Sequence, residues 1–179
     1  YHFSPDWLGY ATVAKGFRTG LAQPVISLQS AILSNPPISI PIGIDPETLW
    51  SYEVGTKGQF AEGMVTLEAD VFYNNWKNLQ TVIFPAPRIG ALINGGPART
   101  QGVEVALGLR PISGLLLQIT GSVVDAKYTS DVAGSSVRKG SSIVDVPKSQ
   151  FAASGMYRWP MSDGLTGFAR AELQHTSPR

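Results

Sequence analysis

Val65-Thr66-Leu67-Glu68-Ala69-Asp70-Val71-Phe72-Tyr73 is the stretch whose reading decides the fold. Successive side chains of a strand point to opposite faces, so Val65, Leu67, Ala69, Val71 and Tyr73 share one face. Thr66, Glu68, Asp70 and Phe72 take the other. One face is apolar without interruption and ends in an aromatic, while the other carries two carboxylates. Wound into a helix, the same residues scatter Glu68 and Asp70 among the apolar positions and leave no clean stripe. The segment predicts a long strand, because the pattern continues from Met64 and runs on towards Trp76.

The design recurs on both sides of this strand. Upstream, across a tight hairpin at Ala61-Glu62-Gly63, Leu49 to Phe60 sets Trp50, Tyr52, Val54, Thr56 and Phe60 against Ser51, Glu53, Lys57 and Gln59. Before it lies a long connection, Thr19 to Glu47, in which Asn35-Pro36-Pro37 and Asp45-Pro46-Glu47 forbid a continuous helix or central strand. The centre of that connection, Val25 to Leu33, is compatible with a short helix. The turn Ser4-Pro5-Asp6 precedes a strand from Trp7 to Arg18, with Trp7, Gly9, Ala11 and Val13 opposite Tyr10, Thr12 and Ala14.

Downstream, Leu79 to Pro97 reads as a second long loop, holding Pro85, Pro87 and Gly95-Gly96. Arg99 to Arg110 opposes Val103, Val105, Leu107 and Leu109 to Glu104, Ala106, Gly108 and Arg110. After the turn Pro111-Ile112-Ser113-Gly114, Leu115 to Tyr128 opposes Leu117, Ile119, Gly121 and Val123 to Gln118, Thr120 and Ser122. Thr129 to Asp145 is a third long loop, with tips expected at Gly134-Ser135-Ser136 and Gly140-Ser141-Ser142. Phe151, Ala153, Gly155, Tyr157 and Trp159 then line one face of a sixth strand. A turn from Pro160 to Gly164 leads to a seventh, Leu165 to Gln174, with Leu165, Ala169, Ala171 and Leu173 against Thr166, Arg170, Glu172 and Gln174.

Short and long connections alternate, so every short one falls on one side of the sheet and every long one on the other. Outer-membrane barrels have this asymmetry, with brief turns at one end and extended loops at the other. The inferred outer faces carry no Asp, Glu, Lys or Arg along their central stretches, as hydrocarbon demands. Aromatics cap those faces: Trp50, Tyr52 and Tyr73 towards the long loops, Phe60 and Trp159 towards the turns. The expected fold is all-β, an antiparallel up-and-down transmembrane β-barrel section of about seven long strands.

Composition agrees. With 43% hydrophobic and 15% charged residues, the 179-residue chain is too apolar to be disordered. No apolar run approaches the roughly 18–20 residues of a spanning helix, and a mean hydropathy of +0.03 does not oppose spanning by strands. A formal net charge of +1 leaves no basic stripe for nucleic acid, which is excluded as the main partner. The absence of cysteine rules out disulfides and thiolate metal sites. Tyr1 to Asp6 has neither the charged start nor the apolar centre of a signal peptide, so the chain is expected to be an internal piece of an exported protein.

Four segments carry a family resemblance. They are Tyr10-Ala11-Thr12-Val13-Ala14-Lys15-Gly16-Phe17-Arg18, and Pro46-Glu47-Thr48-Leu49-Trp50-Ser51-Tyr52-Glu53-Val54-Gly55-Thr56-Lys57-Gly58. With them go Phe72-Tyr73-Asn74-Asn75-Trp76-Lys77-Asn78-Leu79-Gln80 and Asn94-Gly95-Gly96-Pro97-Ala98-Arg99-Thr100-Gln101-Gly102-Val103-Glu104. In this order they resemble the barrel of TonB-dependent outer-membrane receptors, over nearly the whole chain. The resemblance implies a barrel of about 22 strands with a plugged lumen, in the bacterial outer membrane. It implies import of a ferric siderophore or similar scarce solute, energised by the TonB complex through the plug. No plug domain, energy-coupling box or terminal barrel strand is recognisable, so residues 1–179 are expected to be part of a barrel domain.

No catalytic constellation appears, and no cofactor is implied. His2 and His175 lie near opposite ends of the chain, with no cluster of metal ligands around either. No Gly-x-Ser-x-Gly elbow or phosphate-cradling loop is present. The expected lumen-facing residues are Glu53, Lys57, Glu68, Asp70, Glu104, Arg110, Arg170 and Glu172, read first as a hydrated, ion-paired inner wall behind the plug. Contact with an anionic ferric chelate is better sought at the long loops, at Trp76, Lys77, Arg88 and Arg138. Two other readings stand beside the receptor. A passive porin shares the barrel and would use Thr19 to Glu47 as an inward loop. A soluble extracellular β-sandwich binding module would also alternate, but its strands usually run near 5–6 residues.

Overall fold

The computed structural model describes residues 1–132 and 137–178; the expected loop tip Gly134-Ser135-Ser136 falls outside them. In chain order the elements are β1 (His2–Ser4), β2 (Trp7–Arg18), β3 (Leu21–Ala22), α1 (Val25–Ile32), β4 (Gly43–Ile44), β5 (Glu47–Phe60) and β6 (Val65–Lys77). There follow β7 (Gln80–Ala86), β8 (Ile89–Asn94), β9 (Ala98–Leu109), β10 (Leu115–Tyr128), β11 (Ser149–Pro160) and β12 (Thr166–Thr176). One antiparallel sheet joins eight of them in the order β1-β2-β5-β6-β9-β10-β11-β12. Within that sheet each strand pairs with the member that follows it along the chain, the up-and-down plan, without a Greek-key crossing. The other two sheets, β3-β4 and β7-β8, are two-stranded excursions within the long connections. A β-sandwich needs a second sheet across the core, and the long sheet is not built that way.

Register settles which residues share a face, because directly opposed residues point the same way. Leu67 faces Gly58 on β5 and Leu107 on β9, and Gly58 faces Trp7 on β2. Leu107 faces Ile119, which faces Ala153, which faces Leu173. That transverse row crosses seven strands without a polar side chain. Another row, Ala11, Val54, Val71, Val103 and Val123, runs parallel to it nearer the long loops. These residues lie open: Val54 is 58% exposed, Val71 53% and Val123 63%. A water-soluble domain would cover such a belt with another layer; among the described residues none covers it, as expected of a face that meets hydrocarbon.

Aromatics bound the belt at both ends. Towards the long loops Trp50 stacks on Tyr52 at 6.4 Å, and Tyr52 meets Tyr73 at 6.4 Å. At the turns Trp7 meets Phe60 at 6.4 Å, and Tyr157 stacks on Trp159 at 5.7 Å. The lower boundary is slanted relative to the transverse rows. Trp7 belongs to the Leu67 row, whose β11 member is Ala153, yet the boundary on β11 is Trp159, six residues on. At ~3.4 Å per residue and ~4.8 Å per strand spacing, six residues over five spacings give a slant of about 40°. Strands of closed barrels tilt by about this much.

The connections between strands need particular backbone geometry. The β5–β6 turn holds Ala61, Glu62 and Gly63 at φ of 52°, 55° and 85°, a left-handed path that only the glycine adopts without cost. Gly102 has no room for a side chain: a Cβ there would lie 2.5 Å from the Val123 carbonyl oxygen and 2.7 Å from the Phe72 ring. The buried apolar core sits at the rim, where the long-loop ends of β9 and β10 meet the connections. Ile93, Ala98, Tyr128 and Val132 pack together, with Trp76, Leu79 and Ile83 against them.

The first long connection does contain a short helix, α1, within Val25 to Leu33. The second departs from its reading as a plain loop, because Gln80 to Asn94 forms the β7–β8 hairpin. Pro85 is tolerated there because it falls in the register shift between Ile83 and Ala86, where no ladder bond is lost. Arg88, at a φ of 64°, turns the hairpin.

Candidate functional site

The face opposite the apolar belt is hollowed into a trough of about 390 Å³, lined by Glu68, Asp70, Glu104, Thr120, Ser122, Gln150 and Gln174 among others. Alternation places them together: Asp70 stands opposite Glu104, Glu104 opposite Ser122, and Ser122 opposite Gln150. Glu53 and Lys57 share that face through Phe72 and Glu68, as do Arg170 and Glu172 through Met156 and Ser154. Arg110, just past β9, follows the same alternation, and its N–H donates to the Met64 carbonyl at 2.7 Å.

The wall is ion-paired in places. Lys57 Nζ lies 2.9 Å from Glu68 Oε2, and Arg170 Nη2 lies 2.9 Å from Glu172 Oε2; all four side chains are at least half exposed. Such pairs contribute little to stability and leave a hydrophilic surface. Tyr10 donates its hydroxyl to Glu53 Oε1 at 2.7 Å. Asp70 and Glu104 face each other as like charges, an arrangement that is unfavourable on a dry face and tolerable on a hydrated one.

At the long-loop end the four residues considered for solute contact are dispersed. Trp76 lies on the trough face of β6, opposite Leu49 and Ala98, and packs against the rim core. Its indole N–H is buried with no acceptor among the described residues. Lys77, the next residue, is opposite Thr48 and points to the outer side. Arg88 sits exposed at the tip of the β7–β8 hairpin. Arg138 is exposed on the third loop, where its N–H donates to Ser141 Oγ at 3.0 Å.

A polar clasp at the rim escapes sequence reasoning. Glu47 is 3% exposed; its Oε2 accepts the Gln80 N–H at 2.6 Å, and its Oε1 lies 3.6 Å from Arg18 Nη2. The Gln80 side chain donates to the carbonyls of Thr19 at 3.0 Å and Asp45 at 3.2 Å. Asn94 donates to Asp45 and Asn78. Helix α1 is tied to β8 by Ser27 Oγ donating to the Gly90 carbonyl at 2.8 Å, and Gln23 Nε2 donates to the Leu92 carbonyl. The first two long connections thus form one structured cap over the sheet end. Glu47 and Gln80 lie in or beside Pro-rich loops, where nothing in the sequence separates a buried polar residue from a solvated one.

Over residues 1–177 the chain matches the family model described as "TonB dependent receptor-like, beta-barrel". It is 31% identical over 131 residues to the pesticin receptor of Yersinia pestis, covering 73% of this chain and 18% of that protein. The chain therefore spans about a fifth of the length of the curated relatives it matches. Among solved structures it resembles the ferric yersiniabactin uptake receptor FyuA from Yersinia pestis, with a TM-score of 0.71 and 22% identity over 98% of this chain and 24% of that one. It also resembles BauA, the ferric preacinetobactin receptor from Acinetobacter baumannii, with a TM-score of 0.68 and 18% identity over the same shares, 98% and 24%. At those identities the structural likeness speaks for the fold.

Proposed function

Because the chain belongs to the TonB-dependent receptor family, as barrel rather than plug, we propose that it is one arc of the wall of an active-transport receptor for ferric siderophores or a similar scarce solute. Receptors of this family lie in the bacterial outer membrane, and so does this barrel wall. The observation that carries the reading is the two-faced sheet, with an apolar belt on one side and a charged trough on the other. Residues 1–179 are then part of one barrel domain, whose remaining strands and plug lie elsewhere in the receptor. The work is transport and not catalysis.

In this reading Glu53, Lys57, Glu68, Asp70, Glu104, Arg110, Arg170 and Glu172 line the lumen and face the plug, through which the TonB complex supplies energy. Arg88 and Arg138, exposed on the outer loops, meet the negative charge of a ferric chelate, and Trp76 supports the rim beneath them. The names of the similar receptors, which specify ferric yersiniabactin and ferric preacinetobactin, favour this solute class.

The test is iron uptake by the full receptor, expressed in a strain stripped of its own siderophore receptors and supplied with a panel of ferric siderophores. Uptake of at least one chelate is expected, abolished when TonB is deleted. Arg88→Gln combined with Arg138→Gln should weaken binding of that chelate several-fold. Equal solute entry with and without TonB would mean a passive porin, and no response to any ferric chelate would reject the solute class.

A further inference from the structure

The first two long connections stack in layers on the trough side of the wall. Trp76, Ala98 and Tyr128 lie in one row of that face, and Ile83 and Ile93 of the β7–β8 hairpin pack against them. By alternation Val82, Phe84, Gly90 and Leu92 take the hairpin's other face, with Val82 opposite Leu92. Helix α1 and the β3–β4 pair cross that second face, held by Ser27 Oγ at the Gly90 carbonyl and by Gln23 Nε2 at the Leu92 carbonyl. The helix is seated on its small side: Ser27 and Ala31 are buried, whereas Val25, Ile26 and Ile32 are exposed. Apolar side chains are thus left open on the outermost layer of the cap.

Between these layers lies a pocket of about 280 Å³, lined by Leu21, Ala22, Pro24, Ile44, Val82 and Leu92 among others. Gln23 brings its one polar side chain and is only 8% exposed. The Leu92 carbonyl can only accept, so the amide nitrogen of Gln23 must face it, and Oε1 is left over. That oxygen takes no hydrogen bond among the described residues. A buried water needs two to four polar partners, and the side chains here offer one. A ring suits the space better, since a cavity of ~150 Å³ lined by apolar side chains already takes benzene.

Building on the transport reading above, we propose that this pocket takes one apolar ring of the imported ferric chelate, a ring that carries an N–H or O–H donor for Gln23 Oε1. The solute class narrows accordingly to a chelate with two unlike ends. Arg88, two residues before Gly90 at the hairpin tip, meets the charge of the iron-binding end. Two residues of strand span about 7 Å, so one solute reaches both. Leu21, Val82 and Leu92 give the ring apolar contact, and a single neutral hydrogen bond decides which ring is accepted.

The experiment uses the full receptor in amphipol, with indole as the probe and N-methylindole as its counterpart without a donor, followed by saturation-transfer NMR. Indole should bind, and N-methylindole should bind roughly two- to tenfold more weakly, the worth of one neutral hydrogen bond. Ala22→Phe fills the pocket from its exposed edge. It should abolish indole binding and weaken binding of the transported chelate several-fold, whereas Ile112→Phe, an exposed change at the turn end, should do neither. Equal binding of the two probes by the unaltered receptor, a comparison that needs no variant to fold, would overturn the proposal. So would an Ala22→Phe receptor that binds indole or the chelate as the unaltered one does. A receptor that binds indole, discriminates against N-methylindole and takes up no ferric chelate would instead defeat the transport reading.

Discussion

At Leu107 and Glu104 the two surfaces of one strand come within three residues of each other. Leu107 belongs to the apolar row through Leu67 and Ile119, while Glu104 stands in the trough opposite Asp70. Leu107→Arg in the full receptor places a charge against hydrocarbon and should cost about 2–4 kcal/mol if it lies near the midplane. Glu104→Gln removes one member of a like-charged pair on a hydrated face and should change stability far less. Denaturant titration of the receptor folded into liposomes measures both. Equal losses would mean that facing has been misassigned, since depth differs little between the two positions. Alternation made these residues legible, because period-two patterning needs no knowledge of neighbours. Lys77 shows the limit: as a loop-side cation beside Trp76 it suggested solute contact, yet one step along a strand turns it to the outer side.

Among the elements, the β7–β8 hairpin tests how the cap is held. Its first residue, Gln80, is fixed by Glu47 at the start of β5, across 33 residues of chain. Glu47→Ala leaves the Gln80 N–H and Arg18 without that carboxylate. Loss of a partner to a buried donor costs about 1–3 kcal/mol, which favours local opening by roughly five- to 150-fold. Hydrogen exchange should therefore quicken across residues 80–94 while the amides of β9 and β10 stay protected. Glu47→Gln, which keeps an acceptor, should give a smaller effect. Unchanged exchange in Glu47→Ala would show that the packing of Ile83 and Ile93, with the hydrogen bonds from Ser27 and Gln23, holds the hairpin without the Glu47 carboxylate. The hairpin was not legible beforehand because its signals conflict: Pro85 and Pro87 argue against pairing, and both faces of Thr81 to Phe84 carry apolar groups. Only the register shift, a property of two strands together, reconciles proline with the ladder.

For the whole molecule, the seven long strands, their order and the two faces follow from local pattern, whereas the short edge strand β1 and the tilt do not. Tilt is a relation between strands, and it emerged only when register placed Trp7 and Trp159 at one boundary six residues out of step. That slant has a consequence for the choice of membrane. Projected along a ~40° tilt, the eight residues from Trp7 to Lys15 rise only about 20 Å. The wall is thus a gauge, cut for a hydrocarbon layer thinner than that of most bilayers. Set in a thicker one, it must either pinch the lipid around it or leave Trp50 and Tyr73 below the water line, each at a cost that grows with every ångström of mismatch. Refolding into vesicles of short-chain phosphatidylcholine should accordingly be faster and more complete than into long-chain vesicles of the same headgroup, as read by heat-modifiable mobility. Yields indifferent to chain length would mean that the two girdles do not mark the edges of the membrane.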